Sequence, residues 1–402
     1  MDLIDFCELQ ESELKEHYHL YAENATDNFT IELSYFLNNH KTICNRLWIE
    51  ELVSWLVPML FAIFVILGVV GNVLVLIVIS FYQQMRNTTN ILILNLALSD
   101  LLLLIICIPP TAVDYAVGWP FGKELCIVVQ YLIHVTVYGS IYTLVLLSLD
   151  RYLAVVYPVQ SITIRTVCNA FIVISITWVL AFTSCSPIFF LFHTKTVSSI
   201  KTNEERNVCT FNRDEYSHIV EVTYQTTFFV TSLVIPVIAI ISLYISMLHR
   251  LWRGTAATHG RGPARDKRCV GQENKRRVTR MIIFVVIVFV LCWSPLQVVM
   301  LLKSFKLYEI NQTSLVAFQI ICHCLAYCNS CLNPFLYAFL SSNFRETFKK
   351  SIFFPWKRNN PSNSPINNNH IPKVTIKTTN INEDGNRITN LGMQEVIQLK
   401  SM

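Results

Sequence analysis

The sequence predicts an all-α membrane protein: a seven-transmembrane helix bundle with a short amphipathic eighth helix. Three observations carry this. Of the 402 residues, 53% are hydrophobic and only 15% charged, with mean hydropathy +0.44, whereas soluble domains carry about a quarter charged residues. Apolar runs of the roughly 20 residues that cross a bilayer recur near 54–80, 91–116, 126–150, 168–192, 219–248, 281–302 and 314–340. Basic residues, Arg250 and Arg253 through Lys275, Arg276, Arg277 and Arg280, crowd the segment between the fifth and sixth runs, while the first 50 residues are acidic. Lys and Arg in short loops stay cytoplasmic, so the N-terminus is expected outside and the C-terminus inside. The net charge of +5 is then a topology signal and implies no nucleic acid.

In chain order, residues 1–53 read as an extracellular tail with sequons at Asn24 and Asn28; a further sequon, Asn311, falls in the last outer loop. The opening "MDLIDFCELQESELK" is acidic and lacks an apolar stretch, so the first span is expected to act as the insertion signal. Residues 54–341 form the bundle, 342–355 the amphipathic eighth helix, and 356–402, rich in Asn, Ser and Thr, a disordered cytoplasmic tail. Most of the 13 cysteines lie inside spans as small apolar packing residues. Cys126 and Cys209 both fall on the outer, oxidising side, so a bridge between them is the expected disulfide. Cys7 and Cys44 are a second candidate pair.

The third span raises the sharpest question, because Asp150 and Arg151 close a long apolar run in "LLSLDRYLAVVYP". From Cys126, 25 residues at 1.5 Å each give about 37 Å, which puts Arg151 at the inner membrane boundary. Cys126, Gln130, Ile133, Val137, Ser140, Leu144, Leu147 and Arg151 fall on one helical stripe. Asp150 lies about 100° away, and neighbouring positions do not share a face, so the pair reads as a displaceable restraint. Asp100 in the second span is an intramembrane carboxylate, costly at about 2.5–3.5 kcal/mol and a functional-site hypothesis by default. Asn72, Ser140, Asn329 and Asn333 lie at compatible depths and would complete a polar chamber able to hold a hydrated Na⁺ or a proton. Pro295 in "FVLCWSPLQ" removes a backbone donor and is expected to kink the sixth span, with Trp293 and Phe289 beside the bend.

Over residues 50–355 these motifs, with "LALSD", Trp178, Pro236 and "NSCLNPFLY", resemble the rhodopsin-like (class A) G-protein-coupled receptors in order and spacing. The resemblance implies a G-protein switch of Asp150, Arg151, Tyr152, Tyr244 and Tyr337. It also implies an activation relay of Ile141, Pro236, Phe289, Trp293 and Pro295, and an allosteric sodium site of Asp100, Ser140, Asn329 and Asn333. Partners follow as a heterotrimeric G protein, then arrestin and receptor kinases. Two departures stand out: Lys275 occupies a position often acidic in the family, so the usual inter-helix lock is expected to be missing. No Cys follows Cys331, so the usual palmitate anchor is expected to be missing too.

Ile133 stands where amine receptors place their Asp, and Tyr327 where an opsin places its retinal lysine, which counts against amines and light. The expected ligand-binding set is Asp114, Gln130, His134, Glu221, Tyr224, Gln297, Phe318 and His323. That set suits an extracellular peptide with aromatic side chains and a neutral, amidated end. The loop from His193 to Glu215 reads as its lid, in the form of a short hairpin. "CIPPTAVDYAVGWPFG" and "DRYLAVVYPVQSITIRTVCNA" resemble the galanin-receptor branch, above all arthropod allatostatin-A receptors. Their ligands end in Phe-Gly-Leu-amide, and the branch implies inhibitory G proteins. No cofactor is expected beyond the allosteric Na⁺. The competing readings are a class A receptor for another peptide or for a lipid or small molecule, and, further off, an ion-coupled transporter. A transporter would show several intramembrane charges or an inverted repeat. An enzyme lacks support, since Cys322, His323 and Cys324 are consecutive on a helix and diverge.

Overall fold

The structure, a computed structural model, describes residues 29–198, 205–255, 264–308 and 313–340. Seven helices among them are long and apolar enough to cross a membrane. They are α1 (Phe29–Phe81), α2 (Thr88–Val117), α3 (Gly122–Val156), α4 (Val167–Leu191), α5 (His218–Arg250), α6 (Ala264–Ser304) and α7 (Thr313–Leu340). Between α4 and α5 lies an antiparallel hairpin, β1 (Phe192–Ser198) and β2 (Glu205–Phe211), in which Phe192 pairs with Phe211 and Thr194 with Cys209. The expected spans are all present, within a few residues at their apolar boundaries. α1 differs most, because its helix starts at Phe29, well before the apolar run that the bilayer would hold. The segment expected as an eighth helix and the C-terminal tail lie outside the described residues.

Local chemistry sets the helix ends. Asn87 caps α2 by accepting from the Asn90 backbone N–H at 3.0 Å, and Thr166 caps α4 from Asn169 at 3.1 Å. Gly118 ends α2 at φ +87°, where a Cβ would meet the Asn207 carbonyl oxygen at 2.8 Å. That approach lets the Trp119 N–H donate to the same carbonyl at 2.7 Å and ties the α2–α3 turn to β2. Wide π-turns occupy Leu103–Cys107 and Val230–Val234, just ahead of Pro109 and Pro236. A proline clashes with the carbonyl four residues back, and a wider turn relieves that clash. α6 instead runs unbroken through Pro295.

α3 is the axis of the bundle. Its residues His134 through Ile141 are all buried, and of the expected stripe from Cys126 to Leu147 only Gln130 and Ile133 are half-buried. α4 is peripheral, burying only Ala170, Ile174 and Ala181 among the residues of Val167–Ser184. Large apolar side chains face outward all round, including Trp55, Ile66, Val179, Ile238 and Leu291. On a soluble protein such a surface would aggregate; lipid is the solvent it fits. α1 and α7 approach closely, with Gly71 so near Pro334 that a Cβ would stand 2.9 Å from its ring.

Candidate functional site

The hairpin end of the bundle encloses a cavity of about 980 Å³, at the upper limit of small-molecule pockets. Asp114 and Tyr115 of α2, Gln130, Ile133 and His134 of α3, and Glu221 of α5 line it. Trp293, Gln297 and Lys303 of α6 and Gln319, His323 and Tyr327 of α7 complete the helical walls. The hairpin covers it, pinned by a Cys126–Cys209 disulfide with Cα atoms 5.6 Å apart. Cys44 is also disulfide-bonded; Cys7 lies outside the described residues.

Most polar groups of the wall already have partners. Arg213 donates Nε and Nη2 to the two Glu221 carboxylate oxygens at 2.8 and 2.6 Å. That bond raises the guanidinium above its ordinary pKa. Gln297 donates to Ser232 Oγ at 3.0 Å, His134 Nδ1 lies 2.7 Å from the Gln130 carbonyl, and Lys303 donates to Gln319 Oε1 at 3.3 Å. Asp114 Oδ1 and both ring nitrogens of His323 are buried without a hydrogen-bond partner. On the hairpin rim, Lys195 donates to both Asp214 oxygens at 2.9 Å and holds that carboxyl below its usual range.

Below the cavity the polar floor gives way to packed rings. Trp293 lines the cavity and stacks on Phe289 at a ring separation of 6.2 Å; Ile141 and Pro236 are buried at similar depth. Next comes Asp100, 1% exposed. It accepts from Ser330 Oγ at 2.7 Å and Asn333 Nδ2 at 2.8 Å. Asn72 donates to the carbonyls of Gly68 and Ser330, each at 2.9 Å. Asn72 Oδ1 and Asn329 Oδ1 are buried acceptors without partners, and Ser140 is buried at 6% exposure. A carboxylate with unsatisfied carbonyl oxygens around it is a donor set for a hard cation. Among the described residues no cluster of three His, Cys, Asp or Glu could hold a transition metal.

At the opposite end of α3, Asp150 is 4% exposed and collects donors from three sides. Thr89 Oγ1 donates to it at 2.7 Å, Arg151 Nε at 3.0 Å and Arg165 Nε at 2.7 Å. Arg151 also bonds Asp150 and Thr89 through Nη2. Asp150 and Arg151 are thus bonded to each other although adjacent, because both side chains reach Thr89 of α2. The Tyr244 hydroxyl is buried without a hydrogen-bond partner.

Some expected residues sit elsewhere. Phe318 is 48% exposed and does not line the cavity. It is five residues from His323, about 140° around the helix, so it faces away from the ring it was grouped with. Tyr224 borders the cavity from behind: it stacks on Phe228 at 6.5 Å and lines a smaller, apolar, outward-facing cleft with Tyr138 and Thr227. Tyr152 of the expected switch packs edge-on against Tyr157 at 6.0 Å. Asn24, Asn28 and Asn311, and the side chains of Lys275 and Tyr337, lie outside the described residues. Sequence reading passed over Thr89, Arg165, Ser330 and Lys303. Each is an ordinary polar residue at a span end or in a polar stripe, and only tertiary contact gives it a partner.

Residues 71–337 match the model of the "7 transmembrane receptor (rhodopsin family)". The chain belongs to the rhodopsin family of seven-transmembrane receptors. Among relatives of this receptor, the allatostatin-A receptor of Bombyx mori is 44% identical, over 76% of this chain and 82% of its own. Galanin receptor 2b of Danio rerio is 38% identical over 74% and 75%, and galanin receptor type 2 of Mus musculus 36% over 75% and 77%. The protein is thus a multi-pass membrane receptor that binds a peptide and couples to a G protein, and it is not an enzyme. Its two polar sites lie at opposite ends of α3, joined by a continuous buried core through Ile141, Phe289 and Trp293.

Proposed function

We propose that this receptor recognises an extracellular peptide of the allatostatin-A type ending in a carboxamide, and signals mainly through inhibitory G proteins. The hairpin end faces outward and the basic α5–α6 loop and C-terminus face the cytoplasm, where arrestin and receptor kinases act later. The observation that carries the ligand class is the wide cavity whose centre offers Ile133 and carboxamides where an amine would need a carboxylate. The 44% identity to a receptor named for allatostatin-A supports it. The orientation is supported by the positive-inside rule and by a disulfide at the hairpin end, where an oxidising compartment would form it.

Docking in the cavity presses on Trp293 and, through Phe289 and Ile141, shifts α6 against α3. Loosening at the inner end releases Arg151 from Asp150 and Thr89 and presents its guanidinium to the G protein. Asp100, Asn329 and Asn333, with Ser140 nearby, would hold Na⁺; the ion would supply a positive charge that favours the resting arrangement. Asp100 itself ties α2 to α7 through Ser330 and Asn333 in that arrangement. A panel of amidated neuropeptides tested on cells expressing the full chain, read as guanine-nucleotide exchange, tests the proposal. Activation by Phe-Gly-Leu-amide peptides is expected; activation only by a lipid, an amine or an unrelated peptide would refute it.

A further inference from the structure

Resting on the amidated-peptide reading, we infer that the terminal carboxamide is held between α2 and α7, with Asp114 and His323 as its recognition pair. The cavity wall is divided chemically. On the α3, α5 and α6 side, Arg213 and Glu221 satisfy each other, Gln297 bonds Ser232, and His134 faces the Gln130 carbonyl. On the α2 and α7 side, Asp114 Oδ1 and both nitrogens of His323 have no hydrogen-bond partner although they are buried. Leaving such groups unpaired is costly, and a guest in the cavity is what can pair them. Asp114 and His323 line the same cavity, and the rings of Tyr115 on α2 and Tyr327 on α7 both pack on His323, at 6.2 and 6.4 Å.

The donor and acceptor pattern selects a carboxamide over other ends. A carboxylate accepts only, so Asp114 takes an N–H of the amide; a neutral imidazole donates one N–H, which the amide carbonyl accepts. A free-acid terminus offers no donor to Asp114 and brings a second negative charge beside it, within a wall that water screens poorly. Arg206 of β2, whose side chain lies against Gly118 at the end of α2, lines the same cavity and brings a positive charge to this side of it. Lys303, tied to Gln319 one turn before His323, adds a positive field on the carbonyl side of the guest.

The test uses the full-length receptor in cells and one peptide ending in Phe-Gly-Leu, made as the carboxamide and as the free acid. The readout is the ratio of their potencies, which does not depend on expression level. In the wild type the amide is expected to be stronger by about 100-fold, the worth of a charge-assisted hydrogen bond exchanged for a repulsion. Asp114→Asn should narrow that ratio to about tenfold or less, because the acid gains a donor and loses a repelling charge. His323→Ala should weaken both forms by roughly tenfold, since both present a carbonyl, and His323→Gln, which keeps a donor, should recover most of that loss. An unchanged ratio in Asp114→Asn, or full amide potency in His323→Ala, overturns the inference. Equal potency of amide and acid on the wild type also overturns it while leaving the peptide reading intact. If neither form activates the wild type, the amidated-peptide reading fails and this inference fails with it.

Discussion

Replacing Asp150 by Asn should raise signalling in the absence of any ligand. In the structure Asp150 is the hub of a buried cluster: Thr89, Arg151 and Arg165 all donate to its carboxylate. Hydrogen bonds to a charged group are worth about 1.5–3 kcal/mol and neutral ones about 0.5–1.5. The substituted carboxamide keeps one acceptor oxygen but loses the charge, so its hold on Arg151 should weaken by about 1.5 kcal/mol. If the clamp exists in the resting state alone, that difference appears whole in the resting-to-active equilibrium, about a tenfold shift. Lys275 provides no acidic substitute on α6. Basal nucleotide exchange on a G protein, normalised to receptor at the cell surface, measures the effect. A variant with normal surface level, normal peptide response and wild-type basal exchange would refute the idea that this cluster restrains Arg151.

Other outcomes follow from the same geometry. Asp100→Asn should abolish any sodium sensitivity of agonist binding, checked by peptide binding with sodium replaced by an inert cation; undiminished sensitivity would place the ion elsewhere. Cys126→Ser or Cys209→Ser opens a bridge spanning 83 residues, a loop-closure contribution of about 4.5 kcal/mol. Each should sharply reduce surface expression or peptide binding, measured by cell-surface labelling. Gly118→Val forces a Cβ against Asn207 at a positive φ and should displace the hairpin, lowering peptide potency by about tenfold or more, at a strain of order 1–3 kcal/mol. Normal potency there would show that the hairpin is not a fixed lid.

The bundle was legible because a bilayer imposes length and polarity on every span, and those are one-dimensional properties. The hairpin lid was legible from two features: a long outer loop, and within it Cys209, on the same oxidising side as Cys126. Side-chain partnership was less so. Asp150 and Arg151 announced themselves as charges at a membrane boundary, but their clamp is completed by Thr89 and Arg165, 61 and 15 residues from Asp150 in the chain. Asp100 was conspicuous for the same reason, whereas Ser330 was hidden within a polar stripe in which Asn329 and Asn333 drew attention. Phe318 shows the converse failure. Its aromatic character suggested a cavity wall, yet the helical period puts it opposite the face shared by Val316, Gln319, Ile320 and His323.

Arg151→Ala in the full-length receptor, assayed with a labelled amidated peptide and a purified heterotrimeric G protein, separates recognition from transmission in one sample. Peptide binding at wild-type capacity with no ligand-stimulated nucleotide exchange is the expected result, because the cavity is intact and the guanidinium is gone. Exchange at the wild-type rate would contradict it.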